Sequence, residues 1–355
     1  MRNIFITGGT GFLGQALIQN FLENKKLNIY VLVRAKSDQE AIVRRKTLIT
    51  PYFTRPLRPS ILKRVHFIRG DIEKDKVGLS KKVLCELKTQ VDTIYHSAAI
   101  LDFKRDMKFM RQVNVKGTEN LLDLALNWKK SGVLKNVNHI STSYISGTYQ
   151  EGFFEDQLDV GQKFHNAYEQ TKFEAEKAVY RFRKKGLSVD IYRPGLIVDS
   201  LPLNRTTPSM LVKLLSFCAV QMTDRIPANK DAGMNLIQVD TAARSIYMIS
   251  SFIDKSPNKT YHITSPNLIK IEDLLKISAD IFRFKKPLFV SEKDFQKERL
   301  NVIQRSMIKA FKPYLNQHTV FDNTRALNIL KKCGSKIPMM TKNTLREIFK
   351  KYVYR

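Results

Sequence analysis

Three glycines near the start of the chain have the spacing of a phosphate-binding turn. They follow a short apolar segment, residues 3–7, and precede a pattern typical of a helix. Glycine permits a tight turn and a close approach of the backbone to a ligand, and the N-terminus of a helix attracts negative charge. The pattern therefore predicts a loop that binds the pyrophosphate of a dinucleotide. The predicted cofactor contacts in this loop are Gly8, Thr10, Gly11, Phe12, Leu13 and Gly14.

A tyrosine and a lysine far downstream have the spacing of one helical face. Tyr168 and Lys172 lie four residues apart in a segment that is predicted to be helical. An ammonium group beside a phenol favours the phenolate, so we expect Lys172 to lower the pKa of Tyr168 and the pair to relay a proton near neutral pH. Such a pair alone is usually part of a solvent-exposed helix surface. Together with a dinucleotide loop, it predicts hydride transfer to or from a carbonyl.

Strand-like and helix-like segments alternate through the first half of the chain. The strand-like segments are short and rich in Ile and Val, as in buried parallel sheets. The predicted strands are Asn3–Thr7, Asn28–Val33, Val65–Ile68, Thr93–His96, Val137–Ser141 and Val189–Tyr192. The predicted helices cover residues 12–24, 37–50, 80–88, 107–130 and 165–186. This alternation predicts an α/β fold, a Rossmann-type doubly wound parallel sheet with a smaller, mostly helical C-terminal substrate lobe.

The carboxyl ends of parallel strands meet at one edge of a sheet, where ligands of this fold class bind. Five residues that follow predicted strands are therefore expected in one crevice: Arg34, Asp71, Ala98, Thr142 and Pro194. Beyond residue 198 the prolines indicate a loop-rich insertion, and residues 235–250 are predicted to return to the sheet as a strand and a helix. We predict a dinucleotide-binding domain over residues 1–198 with 235–265, and a substrate-binding lobe over residues 199–234 with 266–355.

The composition is that of an ordinary globular protein, with 355 residues of which 43% are hydrophobic and 26% charged. Three widely spaced cysteines, Cys85, Cys218 and Cys333, favour neither a disulfide framework nor a metal site. We expect no leader peptide, because residues 1–14 already provide the first strand and the phosphate loop, and a reducing cytoplasm is the simplest expected location. The most apolar later stretch, residues 210–220, is too short to span a bilayer.

The net charge of +28 is the unusual feature of the composition. One interpretation is a solvated basic surface. The other is attraction to anionic partners: a phosphorylated cofactor, a phosphate-bearing thioester, an acidic acyl-carrier protein or an anionic membrane surface. Nucleic acid is not expected as a partner, because basic motifs interleaved with aromatic residues are not visible.

These motifs together resemble the extended short-chain dehydrogenase/reductase superfamily, and the resemblance covers residues 1–265. It implies that Tyr168 and Lys172 form the catalytic pair. It also implies that Asp71, followed by Ile72, lies near the adenine of the cofactor, and that Pro194 belongs to a segment packed against the nicotinamide.

Two further residues have roles that the resemblance implies and other roles that the sequence leaves open. Thr142 stands between Ser141 and Ser143, where the superfamily has its catalytic Ser or Thr. A threonine there also commonly ends a strand by satisfying backbone groups. Asn114 matches the superfamily's helix-borne catalytic asparagine, which serves the lysine through water, and it would equally suit a helix cap.

Several segments resemble one group within that superfamily more closely: the fatty acyl-CoA reductases and the thioester-reductase domains of carrier-protein assembly lines, the male sterility NAD-binding group. These segments are residues 32–34, 95–103, 139–144 and 320–325. The resemblance implies that Ala98 and Ala99 contact the cofactor. We expect His96, at the end of a buried strand, to have a hydrogen-bonded packing role beneath the cofactor.

Arg34 determines the expected cofactor. An acidic residue at the end of the second strand would bind the ribose hydroxyls of NAD, whereas a guanidinium suits the 2′-phosphate of NADPH. Lys36, Arg44 and Arg45 lie nearby in the sequence. The alternative is a solvated basic helix. We therefore predict NADPH as the cofactor.

Three functions remain open on the sequence alone. The leading hypothesis is an NADPH-dependent reductase of an acyl thioester, CoA-linked or carrier-bound, that gives an aldehyde or an alcohol. The second is a dehydrogenase or epimerase of a hydroxysteroid-like, terpenoid or nucleotide-sugar substrate. The third is a dinucleotide-binding scaffold without catalysis, which would need none of Thr142, Tyr168 and Lys172. Apolar residues of 205–235 are expected either to line a substrate channel or to form plain core.

Overall fold

The computed structural model describes residues 2–41, 43, 61, 63–102, 105–200, 209, 211, 224–252, 256–302, 304, 305, 308 and 312–352. Most of the helix predicted over 37–50 lies outside these ranges, as do Arg44, Arg45 and Phe103. The expected apolar channel of 205–235 also lies mostly outside them. Within the described residues, no helix is long and apolar enough to cross a membrane.

Seven strands of the described chain form one parallel sheet. They are β1 (Arg2–Thr7), β2 (Leu27–Val33), β3 (Val65–Arg69), β4 (Thr93–His96), β5 (Asn136–Ile140), β6 (Val189–Pro194) and β11 (Thr260–Ile263). Their order in the sheet is β11-β6-β5-β4-β1-β2-β3. Their apolar runs are largely buried on both faces, which is the pattern of a parallel sheet covered by helices. The predicted α/β fold class is confirmed, and the predicted limits of these strands differ from the observed ones by at most two residues.

Helices cover both faces of this sheet. They are α1 (Phe12–Glu23), α2 (Lys81–Lys88), α3 (Met107–Arg111), α4 (Gly117–Lys129), α5 (Ala167–Lys184) and α6 (Val239–Ser251). On one face α1 and α6 pack together around Phe21 and Ile246, and on the other face α4 and α5 pack around Leu121 and Val179. The helix predicted over 107–130 differs in one respect, because a π-helical segment, Gln112–Lys116, separates α3 from α4.

Three short strand pairs and further helices follow β6 in the described residues, and the first of these pairs lies within the predicted dinucleotide-binding domain. The pairs are β7 (Leu196–Val198) with β10 (Leu236–Gln238), β8 (Arg225–Ile226) with β13 (Leu288–Phe289), and β9 (Gly233–Met234) with β12 (Ile269–Lys270). The helices are α7 (Ile271–Phe282), α8 (Glu292–Phe295), α9 (Thr324–Lys332) and α10 (Lys342–Lys350). A third apolar cluster, with Leu275, Leu345 and Phe349, holds α7 against α10. The helix α9 packs against α6 and β11, which belong to the predicted dinucleotide-binding domain. The predicted domain limits remain a prediction.

Candidate active site

The glycine loop between β1 and α1 is shaped by close backbone contacts. Gly8 has a φ of +70°, and a Cβ at this position would lie 2.5 Å from the backbone nitrogen of Ala98. A Cβ on Gly14 would overlap the Gly8 carbonyl oxygen, which also accepts a hydrogen bond from the Gly11 N–H at 2.9 Å. Side chains at Gly8 and Gly14 are therefore excluded by backbone that cannot move aside, which leaves the backbone of the loop open toward a ligand.

The N-terminus of α1 is a suitable partner for a negative charge. Gly11 precedes the helix and provides no side-chain cap, and the first turn carries no acidic residue. The positive end of the helix dipole therefore faces the glycine loop without a neutralising charge from the first turn. Thr10 is exposed and Phe12 half-buried, whereas the Leu13 side chain belongs to the core, so only the backbone of Leu13 could contact a cofactor. This cradle fits a dinucleotide pyrophosphate.

Arg34 and Asp71 follow adjacent strands of the sheet, β2 and β3. The Arg34 side chain is 65% exposed, and its Nη1 lies 3.4 Å from Glu73 Oε1. Asp71 Oδ1 accepts a hydrogen bond from the Glu73 backbone N–H at 3.1 Å. No sequence motif singled out Glu73, a carboxylate that competes with a phosphate for Arg34. Ile72 is buried, and a Cβ on Gly117 would lie 2.9 Å from the Ile72 Cδ1 atom.

The end of β4 provides the next part of the crevice. The Ala98 N–H donates to Thr7 Oγ1 at 3.4 Å, and Ala99 is exposed. His96 is buried, with Nδ1 2.7 Å from Thr7 Oγ1 and Nε2 3.0 Å from Thr118 Oγ1. Burial, followed by the charge of Lys172, lowers the pKa of His96 to about 3. His96 is therefore neutral and hydrogen-bonded, in agreement with the predicted packing role.

Lys172 and Thr142 lie at the carboxyl end of β5, and Tyr168 lies one helical turn before Lys172. Lys172 is 2% exposed, and its Nζ donates to the Ile140 carbonyl oxygen, the last residue of β5, at 2.8 Å. Thr142 is also buried and begins a 3₁₀ turn, Ser143–Ser146, where its Oγ1 accepts from the Tyr144 N–H at 3.3 Å. Tyr168 is half-buried in the first turn of α5. The lysine is thus anchored two residues before Thr142.

The electrostatics of the pair differ from the expectation. Burial, followed by the negative charge of Glu169, raises the pKa of Tyr168 to about 12. Burial lowers the pKa of Lys172 to about 8, and the charge of Glu176 partly opposes this change. Lys172 is not among the causes of the Tyr168 shift, so the expectation that it lowers this pKa is not met. The Lys172 ammonium group donates to the Ile140 carbonyl instead. The phenol is therefore held in its protonated form.

Thr142 has two buried serine neighbours. The Oγ atoms of Ser141 and Ser143 have no hydrogen-bond partner among the described residues, nor do the two ring nitrogens of His139. Burial is the first cause that lowers the pKa of His139 well below its usual value. Unpartnered buried hydroxyls are uncommon and indicate an uncompensated polar site at the end of β5. Thr142 remains the predicted catalytic hydroxyl at this site.

Asn114 is not a helix cap, which corrects one of the two alternatives. It lies within the π-helical segment and is 1% exposed. Its Oδ1 accepts from the Ile100 N–H at 2.8 Å, and its Nδ2 donates to the Ile100 carbonyl at 3.1 Å and to Thr171 Oγ1 at 3.0 Å. Asn114 therefore fastens the loop after β4 to the residue that precedes Lys172. π-Helical turns are frequently found at functional sites.

Pro194 ends β6 in a buried position, and the residues beside it form a charge network that no sequence motif indicated. Arg193 and Glu176 have fully buried side chains joined by hydrogen bonds of 2.7–3.2 Å. Arg193 Nη1 also lies 3.2 Å from His262 Nε2 on β11. Glu176 is four residues beyond Lys172, so the helical period that links Tyr168 to Lys172 contained a signal for it.

A second network joins the 320–325 segment to the sheet. Phe153 and Phe321 form an isolated parallel bridge. The buried carboxylate of Glu155 accepts backbone N–H bonds from His262, Arg325 and Ala326 at 2.8–3.2 Å. Burial raises the pKa of Glu155 to about 7. The Glu155 carboxylate therefore fastens the start of α9 to β11, the edge strand of the sheet.

An open groove of about 810 Å³ lies between the segment before α5 and the C-terminal lobe. Thr148, Gln150 and His165 line it on one side. The lobe contributes Glu292, Phe295, Gln296, Glu298, Leu300, Arg305, Ile308, Lys312, Pro313 and Asn316. This groove contains apolar and polar side chains, and among the described residues no group of three His, Cys, Asp or Glu side chains could hold a metal ion.

Comparison with known proteins identifies the family. A family model described as "Male sterility protein", an NAD-binding family, matches residues 6–246. The chain belongs to this family, and with it to the NAD(P)-dependent oxidoreductases of the extended short-chain dehydrogenase/reductase type.

Individual relatives are longer proteins. A linear gramicidin synthase of Brevibacillus parabrevis is 29% identical over 277 residues, which are 76% of this chain and 5% of that protein. Fatty acyl-CoA reductase wat of Drosophila melanogaster is 27% identical over 228 residues, 56% of this chain and 43% of that protein. The chain spans less than half the length of either relative.

Among solved structures, the terminal R domain from the myxalamid PKS-NRPS biosynthetic pathway has a similar fold. Its TM-score is 0.82 at 24% identity, and the match covers 100% of this chain and 91% of that domain. At this identity the similarity shows the fold alone.

Proposed function

We propose that the chain is an NADPH-dependent reductase of an acyl thioester, CoA-linked or carrier-bound, that gives an aldehyde or an alcohol. The observation that carries the proposal is the hydrogen bond from Lys172 to Ile140, which anchors the lysine at the end of β5 beside Thr142 and one helical turn from Tyr168. A family match over residues 6–246 and relatives named as a fatty acyl-CoA reductase and a gramicidin synthase support it.

The proposed cofactor contacts use the glycine loop and the ends of four further strands, β2, β3, β4 and β6. Gly8, Gly11 and Gly14 would admit the pyrophosphate, Asp71 and Ile72 would lie near the adenine, and Ala98, Ala99 and Pro194 would line the remaining crevice. Arg34 would bind the 2′-phosphate, which favours NADPH over NADH. When bound, the nicotinamide supplies the hydride.

The proposed catalytic residues stabilise and protonate the carbonyl oxygen of the substrate. The phenol of Tyr168, with a pKa raised to about 12, carries its proton at neutral pH, and its Oη can donate this proton to a carbonyl oxygen that becomes an alkoxide on hydride attack. Thr142 would donate its hydroxyl hydrogen to the same oxygen, as in an oxyanion hole. Lys172 would orient the cofactor ribose, and Asn114 would hold the loop after β4 against α5.

The net charge suggests the form in which the substrate arrives. CoA and acyl-carrier proteins both present negative charge, and a chain of net charge +28 would attract them. We therefore propose capture of a phosphate-bearing thioester, and contact with an anionic membrane surface as a weaker interaction of the same kind. Rising ionic strength should lower kcat/KM more than kcat, because screening acts on the encounter. We also retain the cytoplasm as the proposed location.

The test is a substrate panel. Purified protein with NADPH is given acyl-CoAs of several lengths, and the loss of reduced-nicotinamide absorbance and the formation of aldehyde are followed. We expect turnover with at least one thioester, and little when a hydroxysteroid is supplied with NADP⁺ or when a nucleotide sugar is followed for epimerisation by product analysis. Turnover of the latter substrates without any thioester reduction would replace the proposal by the dehydrogenase or epimerase alternative.

A further inference from the structure

A tyrosine of the C-terminal lobe reaches the turn that carries Tyr168. Tyr314 lies in the 3₁₀ turn Lys312–Asn316, and its hydroxyl donates to Glu169 Oε1 at 2.5 Å. The same hydroxyl accepts a hydrogen bond from Asn166 Nδ2 at 2.6 Å. Asn166 is the N-cap of α5, where its Oδ1 accepts from the Glu169 N–H at 3.0 Å. The lobe is therefore joined to both ends of the first turn of this helix.

Glu169 is a fully buried carboxylate directly beside Tyr168. Its Oε2 accepts from the backbone N–H of His165 at 2.9 Å and lies 3.0 Å from His165 Nδ1. A buried carboxylate is stable only when its oxygens accept hydrogen bonds. The Tyr314 hydroxyl is thus one of the groups that stabilise this charge. By binding Glu169 it also helps to fix the position of the first turn of α5.

The ring of Tyr314 contacts the other side of the site. It meets the Tyr144 ring edge-to-face at a centroid distance of 5.4 Å and an interplanar angle of 78°. Tyr144 donates its backbone N–H to Thr142 Oγ1. One side chain of the lobe therefore supports both the helix turn of the proposed proton donor and the 3₁₀ turn of the proposed hydroxyl.

The groove of about 810 Å³ adjoins this contact. Lys312, Pro313 and Asn316 surround Tyr314 in the sequence and line the groove, and His165 lines it from the opposite side. A ligand in the groove would therefore touch residues on both sides of the Tyr314–Glu169 hydrogen bond.

We propose that Tyr314 is a positioning residue that couples the C-terminal lobe to Tyr168 and Thr142, with Glu169 as the connecting carboxylate. Only the expected change in turnover rests on the proposed function. Correct alignment of a proton donor is worth large factors in rate, so a small displacement of the α5 turn is sufficient to slow turnover. Neither Tyr314 nor Glu169 needs to touch the substrate.

Four titratable side chains face the Glu169 charge. They are His165 before α5, Tyr168 within it, Tyr144 on the 3₁₀ turn and Tyr314 on the lobe. For the three tyrosines, burial is the largest cause of a raised pKa, and the charge of Glu169 raises it further. Replacing Glu169 by Gln should therefore lower the pKa of Tyr168, whereas replacing Tyr314 by Phe keeps the carboxylate in place.

The main experiment compares Tyr314→Phe with Tyr149→Phe. The control removes another tyrosine hydroxyl that donates to a carboxylate, Glu151, but at the surface. Tyr314→Phe should lower kcat by about tenfold or more, and should leave the KM for NADPH within about twofold of its original value. Tyr149→Phe should leave both unchanged. Equal kcat values for the two variants would overturn the proposal.

A second measurement needs no substrate. Amide hydrogen exchange in residues 165–172 should become faster in Tyr314→Phe and stay unchanged in Tyr149→Phe, because only the first variant loosens the α5 turn. Unchanged exchange in both variants would also overturn the coupling. If the original protein reduces no thioester but exchange responds as expected, the proposed function fails and the coupling stands.

The variant Glu169→Gln separates positioning from plain packing. It should lower kcat as well, and the double variant with Tyr314→Phe should be no slower than the slower single variant, because both changes break one network. The alkaline limb of the pH dependence of kcat should move to lower pH in Glu169→Gln, since the charge that raises the Tyr168 pKa is gone. Independent, additive effects with an unmoved pH profile would contradict the assignment.

Discussion

The cofactor crevice and the C-terminal lobe are held in place by different kinds of contact. In the crevice the decisive contacts are made by backbone atoms that are near in sequence, such as Gly14 against the Gly8 carbonyl, where a Cβ would have no room. In the lobe they are side-chain hydrogen bonds between residues far apart in sequence, such as Tyr314 with Glu169 and the backbone of Arg325 with Glu155. The difference suggests that the crevice supplies the chemistry and the lobe supplies alignment.

The largest effect is expected in the crevice, from Tyr168→Phe. This change removes the phenolic proton and keeps the ring, so turnover should fall by about a hundredfold or more while cofactor affinity stays nearly unchanged. Tyr180→Phe, on the same helix, is the control. Steady-state kinetics and a fluorescence titration with NADPH measure the two quantities. Turnover near the original value would remove Tyr168 from the mechanism.

The second effect concerns the buried lysine and the pH dependence of stability. With a folded pKa of about 8 against a usual 10.5, Lys172 is neutral between these values in the folded protein and protonated in the unfolded chain. The unfolded state then binds more protons, so the free energy of unfolding should rise with pH, by about 2 kcal/mol from about pH 8 to about pH 10. Urea unfolding at both pH values measures it.

The matched variants for this prediction are Lys172→Met and Lys177→Met. Lys172→Met should lose the rise in stability, because it removes the titrating group. Lys177, on the same helix, is exposed and paired with Asp159, so Lys177→Met should keep the rise. The same pH dependence in both variants would show that the buried ammonium is not its source.

Arg34→Asp tests the cofactor preference at the rim of the crevice. Loss of a charge-assisted hydrogen bond to a 2′-phosphate should weaken NADPH binding by about 1.5–3 kcal/mol and affect NADH less. NADH is the internal control, because it lacks the phosphate but has the same remaining contacts. Equal affinity of the original protein for NADH and NADPH would contradict the role given to Arg34.

Gly14→Ala tests whether the crevice is defined by backbone. The added Cβ would overlap the Gly8 carbonyl, so we expect a loss of about 1–3 kcal/mol in the free energy of unfolding, together with weaker NADPH binding. Gly152→Ala is the control, because its nearest side-chain neighbour would be 3.7 Å away. Thermal unfolding of the two variants compares them. Equal midpoints would show that the loop has room to adapt.

The sequence predicted those parts of the molecule whose causes are local. Apolar runs with flanking turns located the strands of the sheet, and glycine spacing located the loop whose backbone is now seen to be crowded. Spacing and the resemblance to a family singled out Tyr168, Lys172 and Thr142, of which Lys172 and Thr142 lie at the end of β5, and their catalytic roles remain predictions. Helical period would also have found Glu176, four residues beyond Lys172.

The remaining features depend on contacts that only the folded structure creates, often between residues far apart in the sequence. The π-helical segment keeps the apolar period of a helix, so nothing in residues 107–130 indicated the interruption that redirects Asn114. The pKa of Tyr168 depends on burial and on the charge of Glu169, and both follow from tertiary packing. Lys172 donates to a backbone carbonyl, which has no side-chain signature in the sequence. Tyr314 pairs with Glu169 across 145 positions, which no local pattern encodes.

The most direct test of the proposed reductase activity follows the hydride itself. The protein is incubated with an acyl-CoA and NADPH that carries deuterium at the transferable position, and the products are analysed by mass spectrometry. We expect one deuterium at the former thioester carbon of the aldehyde, or two if reduction continues to the alcohol, with Tyr168→Phe slowing its appearance. Absence of deuterium from every acyl product, with transfer to the keto form of a hydroxysteroid-like or nucleotide-sugar substrate instead, would contradict the proposed activity.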